Sequence, residues 1–156
     1  MQTSSSGERR LYTARVMEAL DWLPHAPPMR LVEEVVELVP GVLARAVRVT
    51  RREDWFFDGH FPNLPIVPAV ILVELLAQTG GLAAGAPTPG EAPKASQLRV
   101  AALGPFKFPA AAGPAARLLV TARVAGRIGG LVKIEGEVSA DGALVATGSL
   151  TLAESR

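Results

Sequence analysis

The sequence contains no cysteine and only two histidines in 156 residues. The first absence excludes disulfides, thiolate nucleophiles and Cys-ligated metal sites, and it fits a cytoplasmic protein. The second leaves too few imidazoles for a multi-histidine metal centre. No charge of one sign dominates: 16 basic residues stand against 15 acidic ones and are scattered, so nothing here suits a polyanion such as nucleic acid. Aromatic residues make up 5% of the chain against 49% for all hydrophobic residues, so the core must be built from Val, Leu, Ile and Ala. A clean membrane-spanning run is also missing. Residues 66–86 approach the length, but Pro68, Glu74, Gln78 and Gly80-Gly81 interrupt them. The opening MQTSSSGERRLYTARV lacks the continuous apolar stretch of a signal peptide. It is expected to provide a mobile tail over residues 1–8, ahead of a single domain over residues 9–156.

Leu11, Val16, Met17 and Leu20 have loose helical spacing, which predicts a short helix within residues 8–20 before the Pro-rich WLPHAPPM loop. LVEEVVELV and VLARAVRVT flank Pro40-Gly41 and read as a β-hairpin. In DWFFDGHFPNLPIVP the prolines at 62, 65 and 68 forbid regular structure. Pro68 suits a first helical turn, and AVILVELLAQTGGLAAG continues it with residues that are apolar nearly all round. Such a helix must be wrapped by other elements. Residues 86–95 read as a loop. QLRVAAL, LLVTARVAGRI, LVKIEGEVSA and ALVATGSLTLA then have strand character, with Gly129-Gly130 and Asp141-Gly142 as hairpin turns. The expected architecture is α+β: five or six antiparallel strands wrapped around one long central helix.

Glu74 interrupts VILVELLA, the most apolar stretch of the chain. Stripping water from an ionised carboxylate costs several kcal/mol unless it is paired, which makes Glu74 a candidate general acid. The alternative is a carboxylate that reaches solvent or bonds to Gln78, one turn away on the same helix face. His60 lies in the proline-restrained loop just before the helix. An imidazole titrates near neutral pH, so it is the candidate base. The helix rises ~9 Å between Pro68 and Glu74, so His60 and Glu74 of one chain need not meet; a symmetric dimer brings His60 of one subunit to Glu74 of the other. The helix start at Pro68-Ala69-Val70 offers unpaired N–H groups for an oxygen that becomes enolate-like. His25 reads as a structural residue that steadies its loop.

The segment GHFPNLPIVPAVILVELLAQ resembles the active-site segment of the beta-hydroxyacyl-ACP dehydratases of the FabZ type. LPHAPPMRLVEEVVELVPG and GPFKFP are similar to two further stretches of that family, so the likeness covers roughly residues 20–153. It implies a hot-dog fold, a homodimer with shared active sites, and a trimer of dimers as a larger assembly. It implies dehydration of a (3R)-3-hydroxyacyl thioester on acyl carrier protein to a trans-2-enoyl thioester, with His60 as base, Glu74 as acid and the Ala69 N–H as oxyanion donor. Glu at 74, where the isomerising FabA-type relatives carry Asp, favours a plain dehydratase. Phe57, Phe61, Pro68, Val70 and Val73 are candidates to line an acyl tunnel. Neither metal nor redox cofactor is implied, and neither a nucleic acid nor a membrane partner. Arg51, Arg52, Lys94, Arg99 and Lys107 are basic residues available to an acidic carrier protein.

Three departures stand out: Ala69 replaces the family's Gly, Pro27-Pro28 replaces an aromatic position, and AAAGPAA replaces a V-x-P-G-D sequence. Two other functions stay open on these grounds. One is an acyl thioesterase of the same fold; the other is a catalytically silent acyl-binding or scaffold subunit.

Overall fold

The computed structural model describes residues 16–88, 90–91 and 97–155. The tail expected over residues 1–8, the start of the N-terminal helix and Lys94 lie outside the described residues. Residues 16–18 are helical and run into a 3-10 turn at Ala19–Trp22. Strands β1 (Glu34–Val39) and β2 (Leu43–Val49) come next. A second 3-10 turn at Trp55–Phe57 precedes the helix α1 (Ala69–Gly85). The chain closes with β3 (Leu98–Lys107), β4 (Arg117–Ile128), β5 (Leu131–Ala140) and β6 (Ala143–Glu154). The six strands form one antiparallel sheet in the order β1-β2-β4-β5-β6-β3.

The period-two pattern decides the sheet's faces. In β5 Val132, Ile134 and Val138 are buried, whereas Lys133, Glu135 and Glu137 between them are exposed. Asp141 and Gly142 both adopt positive φ, the conformation a two-residue hairpin needs to match strand twist. The sheet curls over α1, and Leu72, Leu75, Leu76 and Leu82 are buried against it. Each such leucine contributes about 2 kcal/mol of burial. Two glycines let the helix settle this deeply. A Cβ on Gly80 would lie 2.8 Å from Ile134 Cγ2, and one on Gly136 would lie 2.6 Å from Leu76 Cδ1.

The structure shifts three boundaries. Pro68 is the N-cap of α1 rather than part of its first turn, and Ile71 N–H donates to its carbonyl at 2.9 Å. β1 starts at Glu34, because Leu31 and Val32 give their N–H groups to a side chain instead of a strand. β3 runs on through Gly104-Pro105 to Lys107. Proline is tolerated there because β3 is an edge strand with β6 as its one neighbour. Among the described residues, no helix is long and apolar enough to cross a membrane.

Candidate active site

Glu74 occupies the second turn of α1 and is held from two sides. Gln78 Nε2 donates to Glu74 Oε1 at 3.0 Å and to the Met29 carbonyl at 2.7 Å. Gln78 Oε1 accepts from Leu31 N–H at 2.9 Å and, more weakly, from Val32 N–H at 3.4 Å. All four hydrogen-bonding positions of this amide are engaged, and its surroundings fix which end is which: the backbone N–H groups can only donate, so the oxygen faces them. The residue is 1% exposed. It therefore ties the loop before β1 to the helix and aims one N–H at the carboxylate. His25, on the same loop, places Nε2 3.5 Å from Glu74 Oε1. The Glu74 side chain is 27% exposed. The carboxylate is thus neither stranded in hydrocarbon nor free in water, and the bond to Gln78 foreseen from spacing is present.

His60 is held differently. Its loop begins at a charge network in which Arg48 bonds to Asp54 and stands 3.0 Å from Glu33, while Arg51 grips Glu33 with both terminal nitrogens at 2.8 and 2.9 Å. Arg51 N–H donates to Asp54 Oδ2 at 2.7 Å, and the Arg48 guanidinium lies 5.6 Å from the Phe56 ring centre. The hydrogen bond from Arg51, aided by the charge of Arg48, holds the Glu33 carboxyl below its ordinary range. Beyond this anchor the chain turns sharply: Gly59 has φ 73° and Phe61 has φ 46°, a left-handed conformation that costs a bulky residue strain.

Between them, His60 Nδ1 lies 3.2 Å from the Ile66 carbonyl. A carbonyl only accepts, so this contact requires the proton on Nδ1 and leaves Nε2 with a bare lone pair in the neutral ring. That is the form of a general base. His60 and Glu74 have separate sets of partners within one chain: Ile66 and Phe61 for the imidazole, His25 and Gln78 for the carboxylate.

Ala69 opens α1, so its N–H and that of Val70 belong to the first helical turn and have no carbonyl of their own helix to bond. Ala69 has no positive φ, and alanine takes this helical position without backbone strain. Val70 is 72% exposed and Phe61 57%. Val73 is half-buried. Pro68 is buried, and Phe57 belongs to the core, packed 5.0 Å from the Phe56 ring. The AAAGPAA segment is pinned beside this helix start. Ala112 accepts from Val67 N–H at 2.8 Å, and Thr50 Oγ1 donates to Gly113 O at 2.7 Å while accepting from Ala116 N–H at 2.9 Å.

A cleft of about 480 Å³ runs along Pro27, Pro28, Arg30, Glu53 and Trp55, on a surface that excludes His60 and Glu74. Arg51 is engaged by Glu33, whereas Arg52, Arg99 and Lys107 are exposed. Among the described residues, no cluster of three or more His, Asp or Glu side chains is arranged to hold a metal ion. Sequence reasoning missed the Arg48-Asp54 anchor and the Thr50 clasp, which join segments with no shared periodicity. The spacing of Glu74 and Gln78 was the one available signal for the helix side.

The model of the FabA-like domain matches residues 23–149. The chain belongs to the FabA-like family. Among FabA-like relatives, it is 36% identical over 131 residues to the 3-hydroxyacyl-[acyl-carrier-protein] dehydratase FabZ of Streptococcus sanguinis, covering 84% of this chain and 91% of that one. It is 33% identical over 138 residues to the FabZ of Streptococcus suis, covering 88% and 96%. Solved structures extend the likeness at the level of fold. The dehydratase heterocomplex ApeI:P of Xenorhabdus doucetiae superposes with a TM-score of 0.70 at 21% identity, covering 88% of this chain and 91% of that one. A sigma28-regulated virulence protein of Campylobacter jejuni superposes with 0.66 at 9% identity, covering 99% and 95%. The hot-dog architecture is common ground for this FabA-like chain and these structures, whatever their sequences.

Proposed function

We propose that this chain dehydrates a (3R)-3-hydroxyacyl thioester, carried on acyl carrier protein, to a trans-2-enoyl thioester in cytoplasmic fatty acid biosynthesis. The observation that carries the reading is the bond from His60 to the Ile66 carbonyl, which frees Nε2 as a base in a family whose relatives at 33–36% identity are named dehydratases. His60 Nε2 takes the proton from the carbon next to the thioester carbonyl. The electron pair forms the new double bond, the bond from carbon 3 to its hydroxyl oxygen breaks, and the proton of Glu74 leaves with that oxygen as water. His60 ends protonated and Glu74 ionised, and exchange with solvent resets both. The Ala69 N–H holds the thioester oxygen as it gains charge.

The working unit is a homodimer in which His60 of one protomer meets Glu74 of the other, with a trimer of dimers as the larger assembly. Support comes from β3, whose outer edge is unpaired among the described residues and carries the exposed apolar side chains Val100 and Leu103, a combination that soluble proteins cover. Val70 and Phe61, exposed at and before the helix start, serve the acyl chain.

Product analysis with a 3-hydroxyacyl-carrier substrate tests the chemistry: an enoyl thioester is expected, and a free acid would transfer the reading to a thioesterase. A native mass measurement tests the assembly, with a monomer at working concentration as the result against it.

A further inference from the structure

The second histidine has a neighbour that its place in a loop does not suggest. His25 Nε2 faces Glu74 Oε1 at 3.5 Å, and the two side chains are exposed to nearly the same extent, 28% and 27%. The other ring nitrogen, Nδ1, is buried and has no hydrogen-bond partner among the described residues. This asymmetry selects a tautomer. A proton on Nδ1 would bury an N–H with nothing to accept it, and the doubly protonated ring carries the same penalty. In the neutral ring the favoured tautomer carries its proton on Nε2, aimed at the carboxylate.

Glu74 Oε1 then faces two donors, because Gln78 Nε2 already donates to it at 3.0 Å. An oxygen that accepts two N–H groups is a poor place for a proton. We infer that His25 is a positioning residue which, with Gln78, reserves Glu74 Oε1 as an acceptor, so that the acidic proton resides on Oε2, the oxygen left to face the substrate hydroxyl. At 3.5 Å the His25 contact is longer than a formed hydrogen bond, and it acts on the carboxylate as an oriented N–H dipole. The inference rests on the dehydration proposed above and adds which carboxylate oxygen reacts and what directs it.

The test compares His25→Leu, His25→Gln and Glu74→Gln in the dimeric enzyme. His25→Leu is expected to lower kcat by about tenfold to a hundredfold, a part of what a general acid supplies, with KM within about twofold of wild type. His25→Gln, which offers an amide N–H near the same point, is expected to recover most of that loss. Nitrogen NMR of the wild-type imidazole reads the tautomer directly and holds even if a variant folds poorly. A proton on Nδ1, full turnover in His25→Leu, or equal damage in the Leu and Gln variants would overturn the inference while leaving the dehydratase reading in place. Unchanged turnover in Glu74→Gln would instead remove the dehydratase mechanism itself.

Discussion

His60 sits in a loop between two residues of positive φ, fixed by one carbonyl and by a charge network several residues upstream, whereas Glu74 sits on a helix and is held by a buried amide on its own face. The proposed base is placed by long-range contacts and the proposed acid by local geometry reinforced at one point. The loop gains the sharp turn that exposes an imidazole, at the cost of strain at Phe61; the helix gains rigidity, at the cost of placing a carboxylate where only part of its surface meets water. Damage should therefore travel to the two groups by different routes.

The largest effects come from removing the groups themselves. His60→Ala and Glu74→Gln should each lower kcat about a thousandfold while circular dichroism and the dimer mass stay unchanged; an effect in only one of them would break the pairing. Next is Asp54→Ala. It leaves the largely buried Arg48 with Glu33 and the Leu31 carbonyl and should cost about 3 kcal/mol in denaturant unfolding. Because the loop carries the strain, kcat should fall further than stability alone explains. Gln78→Leu should cost about 2 kcal/mol by orphaning the Leu31 N–H and the Met29 carbonyl, with faster hydrogen exchange over residues 29–32 as its mark.

Ala69→Gly stands at the junction of the two regions. It keeps the N–H and removes a methyl, so it should cost about 0.5 kcal/mol in helix stability and raise kcat/KM for bulkier acyl chains; unchanged selectivity would show that the methyl does not border the substrate. The smallest effect is electrostatic. Glu33 has a folded-state pKa below its ordinary value of 4.5, so its ion pair contributes fully above that value and is lost as pH falls through the lower one. The melting temperature of Glu33→Gln should be less sensitive to pH in that acidic window, with a difference worth under about 1 kcal/mol because the pair is open to solvent and salt.

Legibility followed the same division. Helix α1, the β4-β5-β6 meander and the Glu74-Gln78 pair lie within single periods of the chain, so spacing alone exposes them. Asp141-Gly142 is readable for the same reason: its turn chemistry is local. His60 was legible as chemistry through the motif around it, but its proton arrangement depends on the Ile66 carbonyl, which no side-chain pattern marks. The approach of His25 to Glu74 spans 49 positions and is made by tertiary packing. Arg51 looked available to a carrier protein because its partner, Glu33, lies on a different segment. The strand through Gly104-Pro105 was legible only through the likeness of GPFKFP to a family strand, because proline argues against a strand unless its edge position is known.

The Gln78 tether reaches the loop only through the main chain: the N–H groups of Leu31 and Val32 and the carbonyl of Met29. No side chain of residues 29–32 takes part in this tether. Mutational drift, or a designer, can therefore rewrite the exposed side chain of Met29 and the half-buried one of Arg30 while inheriting the Glu74 carboxylate already aimed.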